Sequence, residues 1–233
     1  MKRAFLLLLL WLSLVSFSHA ETKLFKYAYL GNFKGLINVP KLPGKLPVII
    51  YAYDEFYDWA GKTISYSSGY NLHKFAEVFS SWGYITVIPI ERYRKVNAIL
   101  GAYEYLKDHP KADLNNVHFI GLSEGAFMGL IAYQNQRNFK SLTLIAPITI
   151  NDKGYLSLHN FRYNFSNETV PILFFEVTDA GWRINSQREV MSNLLQYFSS
   201  INYYTYNFKK RYFWDSRFSY MDTIQQFLIK HYN

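Results

Sequence analysis

Apolar positions along this chain fall into two kinds of run. The first is short and apolar almost throughout: Val48-Ile49-Ile50-Tyr51-Ala52-Tyr53, Tyr84 to Ile90, Val117-His118-Phe119-Ile120, Ser141 to Pro147, and Pro171 to Val177. Runs of that length without alternation mark strands buried on both faces, as in a parallel sheet. The second kind repeats at helical spacing. Leu72, Phe75, Ala76 and Phe79 share one face of a helix predicted over 71–82 and broken at Gly83. Ile99, Leu100, Tyr103 and Leu106 do so over 96–107, and Val190, Leu194, Leu195 and Phe198 over 186–198. Further helices are predicted at 124–135 and 218–229, a last strand at 203–208, and two short strands between Lys23 and Asn38. Asp113 to Asn116 reads as a turn, Asp54 to Asp58 as an acidic aromatic loop, and 148–169 as an aperiodic insertion that could cover the top of the sheet. Strand, helix, strand within about forty residues is a crossover unit, and crossovers imply parallel pairing.

Composition narrows this picture. The chain has 233 residues, enough for one domain with a substantial core, and at 19% aromatic residues nothing points to disorder. Residues 1–20 have the pattern of a secretory signal peptide: Lys2-Arg3, an apolar run from Ala4 to Val15, and Ser18-His19-Ala20 as a small-x-small cleavage site. The expected organisation is therefore a leader over 1–20 and a single domain over 21–233, secreted or periplasmic, with no stable membrane span after cleavage. Losing Lys2 and Arg3 lowers the formal charge from +8 to +6. The remaining basic residues are scattered apart from Lys209-Lys210-Arg211 and Arg92-Tyr93-Arg94-Lys95, which read as solvated faces, and no helix-turn-helix, zinc-finger or RNP pattern accompanies them, so no nucleic-acid partner is expected. Absence of cysteine excludes disulfides, a thiol nucleophile and thiolate metal sites. No phosphate-cradling or dinucleotide loop is present, and no cofactor or metal is expected; Asp54, Glu55 and Asp58 as ligands of a hard cation are the weaker reading of an acidic loop.

The chemistry centres on Gly121-Leu122-Ser123-Glu124-Gly125, preceded by a strand-like run and followed by helix formers. That context suits a nucleophile elbow, with Ser123 on a tight strand-to-helix turn. Four motifs in order, Leu-Pro-Val-Ile-Ile-Tyr from Leu46, Trp-Gly-Tyr-Ile-Thr-Val-Ile-Pro from Trp82, Gly-Leu-Ser-Glu-Gly-Ala from Gly121 and Val-Pro-Ile-Leu-Phe-Phe-Glu-Val-Thr-Asp from Val170, resemble the α/β-hydrolase fold, and within it the dienelactone hydrolase-like branch, over about Leu46 to His231. The resemblance implies a mostly parallel central sheet with helices on both faces. It also implies a serine mechanism in the chain order Ser, acid, His, with Ser123 as nucleophile and Asp179 as acid. The backbone N–H of Glu124 would supply half of the oxyanion hole, and Tyr53 or Asp54 the other half.

Two departures set this chain apart from the family pattern. Tyr53-Asp54-Glu55 stands where His-Gly is usual, and the histidine expected around 209–214 is replaced by Lys-Lys-Arg-Tyr-Phe-Trp, which puts Arg211 or Tyr212 at the base position. Arginine stays protonated and tyrosine titrates near 10, so neither is a ready base. Of the histidines, His118 is expected in the core, His231 beyond the last helix, His109 in a turn and His73 on an exposed helix face; His159, in the insertion, is the best substitute. The sequence thus favours an exported serine hydrolase acting on a small ester or lactone. The alternative is a silent α/β-hydrolase-fold binding protein that lacks the general base. It leaves the substrate and the oligomeric state open.

Overall fold

A computed structural model describes residues 20–149, 165–181 and 183–232. The predicted leader, His159 and most of the insertion lie outside the described residues. Eight strands form one sheet in the order β1-β2-β4-β3-β5-β6-β7-β8. β1 (Lys23–Ala28), β2 (Asn32–Asn38) and β4 (Ile85–Ile90) pair antiparallel; β3 (Leu46–Ala52), β4, β5 (Ala112–Leu122), β6 (Ser141–Ile145), β7 (Ile172–Val177) and β8 (Ile201–Tyr206) pair parallel where they are neighbours.

The apolar runs became central strands because both of their faces are covered. Along β3, Val48, Ile50 and Ala52 enter one core while Ile49 and Tyr51 enter the other. The first core also holds Ile99, Ala102 and Leu106 of α3 (Lys95–Lys107), Phe127 and Leu130 of α4 (Glu124–Asn135), and Val190 and Leu194 of α5 (Arg183–Leu194). The second holds Leu72, Phe75 and Phe79 of α2 (Leu72–Ser81) and Ile224 and Leu228 of α6 (Tyr220–Lys230). Asn71 caps α2 by accepting from the N–H groups of His73 and Lys74, which satisfies two amides that open the helix.

Three readings of the sequence need correction. The acidic aromatic stretch is a loop only to Glu55: α1 runs Phe56–Ser67, with Gly61 at φ 78° interrupting its helical geometry. Asp113 to Asn116 belong to β5, where the pairing with β3 shifts register between Leu46 and Val48. The helix predicted over 186–198 starts earlier and ends at Leu194, with Leu195 exposed rather than inward. Among the described residues no helix is long and apolar enough to cross a membrane.

All parallel strands run the same way, so their carboxyl ends gather at one edge of the sheet. Segments 53–56, 91–95, 123–124, 178–181 and 207–214 leave the sheet there, and that edge is where open α/β sheets place their sites.

Candidate active site

Ser123 sits between the last residue of β5 and the first of α4, with φ 56° and ψ −116°. A non-glycine residue in that region costs on the order of 1–3 kcal/mol, so the surroundings must hold it. Its N–H donates to the carbonyl of Ile145 at 2.8 Å, and its own carbonyl accepts from Ala126 and Phe127. Close backbone approach explains the flanking glycines. A Cβ on Gly125 would lie 2.2 Å from the Ala52 carbonyl oxygen, and one on Gly121 would lie 2.5 Å from Ala126 Cα.

The Ser123 side chain is fully buried, and its neighbour is a lysine. Lys210 opens a 3-10 turn, Lys210–Trp214, after β8, and its Nζ donates to Ser123 Oγ at 3.3 Å, to Glu55 Oε1 at 2.7 Å and to Asp54 Oδ2 at 2.8 Å. The residue beside the nucleophile is thus Lys210, rather than Arg211 or Tyr212. Arg211 is exposed, and the Tyr212 ring stacks on Phe208 and Phe218. Sequence reasoning missed Lys210 because Lys-Lys-Arg reads as a solvated patch; its partners are 155 and 156 positions away in the chain, so only the fold joins them.

Charge in this cluster is held by mutual contacts. Burial opposes ionisation of Lys210, but the attraction of Asp54 and Glu55 outweighs it and keeps the ammonium above its ordinary value. Burial would raise Glu55, yet the Lys210 charge and hydrogen bonds bring it down to about 2. Asp54, wholly buried, is pushed up to about 6 by desolvation and by the Glu55 charge, against the pull of Lys210. Arg183, on α5, lies 3.7 Å from Glu55 at the rim.

Both expected oxyanion donors are engaged by the protein itself. The Glu124 N–H points at Glu55 Oε2, at 3.4 Å, so a carboxylate occupies the positive end of α4. The Asp54 N–H donates to Tyr70 Oη at 2.8 Å, and Tyr70 Oη also pairs with Tyr51 Oη. Tyr53 turns its hydroxyl to Asp58, at 2.7 Å, and its ring lies under the Lys95 ammonium. Lys95 bridges Asp58 and Glu124 in a second buried ion cluster beneath the elbow. The three carboxylates read as a possible cation site are therefore held by two lysines, Asp54 and Glu55 by Lys210 and Asp58 by Lys95.

The predicted acid makes no hydrogen bond or ion pair with this cluster. Asp179 follows β7 as the chain order implies, but it is exposed and makes no hydrogen bond or ion pair with the described residues. The described histidines point elsewhere. His118 is fully buried in β5 against Ser141 Oγ, its imidazole lowered to about 4 by burial; His109 accepts from the Lys111 N–H; His73 packs on Tyr66 and His231 on Phe227. Of the aromatic run, Phe56 stacks on Trp214 with centroids 4.3 Å apart, Tyr57 packs on Tyr53, and Trp59 is exposed.

Compared by sequence, the chain matches no protein-family model and no curated protein. Compared by structure, it is similar to a thermostable esterase from Pseudomonas putida, with a TM-score of 0.64, 14% identity, and coverage of 94% of this chain and 85% of that one. It is also similar to acetyl xylan esterase 1 from a Thermoanaerobacterium species, with a TM-score of 0.65, 12% identity and coverage of 93% and 85%. An acylaminoacyl peptidase from Pyrococcus horikoshii gives a TM-score of 0.69 at 15% identity, over 96% of this chain and 43% of that longer one. At these identities the likeness is one of fold, and the fold is that of the α/β hydrolases.

Proposed function

We propose that this chain is a binding protein on the α/β-hydrolase fold whose serine site is catalytically silent. One observation carries the reading: the Glu55 carboxylate and the Lys210 ammonium fill the positions where an oxyanion and a general base would act on Ser123. A base must be free to take a proton, and Lys210 is kept charged by two carboxylates. A missing general base costs about 10²–10⁴ in rate and a missing oxyanion donor about 10²–10³. Taken in full, the two losses amount to about 10⁴–10⁷ in rate. Asp179, exposed and unpaired among the described residues, leaves no acid to orient a base.

Within the fold, the motif order from Leu46 to Asp179 supports the dienelactone hydrolase-like branch, and the pattern of 1–20 supports export to the periplasm or medium with Glu21 as the mature amino terminus. The test is labelling with a fluorophosphonate probe, read by intact mass. The expected result is folded protein without an adduct; a stoichiometric adduct at Ser123 overturns the proposal.

A second reading, a hydrolase of small esters or lactones, is favoured by the strained geometry of Ser123, which a purely structural serine has no need to keep. It requires a base from outside the described residues, His159 being the candidate. It predicts labelling that His159→Ala removes.

A further inference from the structure

A separate concavity lies beside the buried cluster. It is an open groove of about 470 Å³ between the end of α1, at Ser68 and Gly69, and the segment from Phe208 to Phe218. None of Ser123, Glu55 and Lys210 lines it. Tyr212 stands between Phe208 and Phe218, with ring centroids 4.4 and 4.5 Å away and planes within 18° and 3°. Two rings that close and that parallel must cover opposite faces of Tyr212, so the three form one continuous stack. Phe208 and Phe218 remain exposed, at 47% and 41%. Large apolar side chains left in solvent as a contiguous patch mark binding surfaces more often than isolated ones do.

The rim is positive. Lys210 turns inward, whereas its neighbours Lys209 and Arg211 line the groove, and both are exposed without a partner among the described residues. The acidic residue in the lining, Asp215, is already neutralised by Arg217, whose Nη2 and Nε both reach its carboxylate. Trp214 also lines the groove, and its indole reaches Asp54 at 3.5 Å.

We propose that this groove binds a small aromatic carboxylate, its ring against the Phe208–Tyr212–Phe218 stack and its carboxylate between Lys209 and Arg211. The volume is in the range of small-ligand sites. The stack suits an aromatic body: both faces of Tyr212 are taken, which leaves its ring edges beside the exposed Phe208 and Phe218. Those edges carry the positive end of the ring quadrupole and favour the face of a second aromatic ring. The planar fork of Arg211 matches a carboxylate in two parallel hydrogen bonds.

Titration of the full chain with 2-naphthoate, followed by calorimetry and by tryptophan fluorescence, tests this. The groove predicts saturable one-site binding that weakens with added salt, and a Lys209→Ala/Arg211→Ala variant of unchanged circular dichroism that binds at least about tenfold more weakly. Phe218→Ala weakens it as well, and 2-naphthalenemethanol, the neutral analogue, binds more weakly than naphthoate. Absence of saturation up to millimolar naphthoate overturns the proposal. So does an affinity unchanged in the double variant, equal binding of the neutral analogue, or binding of an acidic oligosaccharide in place of naphthoate. The readout is binding and not Ser123 chemistry, so this inference and the silent-site reading can fail separately.

Discussion

Replacing Lys210 with methionine keeps an unbranched four-atom stem and removes the terminal ammonium with its charge. Asp54 is wholly buried, Glu55 nearly so, and the lysine side chain is 15% exposed, so the two carboxylates lose their main counter-charge where water cannot replace it. What remains is the Phe56 N–H on Asp54 at 2.8 Å, the Trp214 indole at 3.5 Å, and on Glu55 the Glu124 N–H at 3.4 Å and the part-exposed Arg183 at 3.7 Å. Removing one partner of a buried ion pair costs about 3–5 kcal/mol. For a domain of this size each kcal/mol moves Tm by about 2–4 °C, so Lys210→Met should melt about 6–20 °C below the parent at pH 7. The triple variant Lys210→Met/Asp54→Asn/Glu55→Gln leaves no orphaned charge and should recover most of the loss. Melting by circular dichroism at pH 4.5 and 7 is the assay. The loss should be smaller at the lower pH, where Asp54 takes up a proton. A shift under about 2 °C at pH 7, or a shift that is the same at both values, refutes the reasoning.

Other expectations follow from the same contacts. Asp54 titrates near 6 in the fold, above its ordinary value near 3.9, so the native state keeps a proton that the unfolded chain loses. Its contribution to stability is full below about pH 4 and is lost as pH rises to about 6; Asp54→Asn should remove that decline, measured by urea melts across pH 4–7. Glu55 runs the other way, its contribution present above about pH 4.5 and lost as pH falls towards 2. Ser123→Gly relieves the positive φ at the cost of a 3.3 Å hydrogen bond and should raise stability by about 1 kcal/mol in the same melts. Asp179→Ala should change stability by less than about 0.5 kcal/mol, because the residue is exposed and unpaired among the described residues.

The fold was legible because a sheet covered on both faces demands unbroken apolar runs, and β3, β4 and β7 carry them almost to the residue. α1 escaped because Glu55, Phe56 and Asp58 face the site and a neighbouring ring instead of forming a helical stripe, and Gly61 breaks the period. The elbow was legible from local sterics, since its glycines answer to backbone atoms close by. Its chemistry was not. Whether a serine is activated depends on which charges the fold brings to it, and Lys210 meets Ser123 across 87 positions and Glu55 across 155. The order Ser then Asp named Asp179, but order does not fix the direction of an exposed loop side chain.

Hydrolysis of p-nitrophenyl acetate by the wild-type protein and by Ser123→Ala, at pH 7.5 and equal concentration, bears most directly on the silent site. Rates equal within about twofold are expected, since Glu55 and Lys210 hold the positions that catalysis would need. A wild-type rate about 10³-fold or more above that of the variant would contradict it, because a difference of that size requires a working base and oxyanion hole at Ser123.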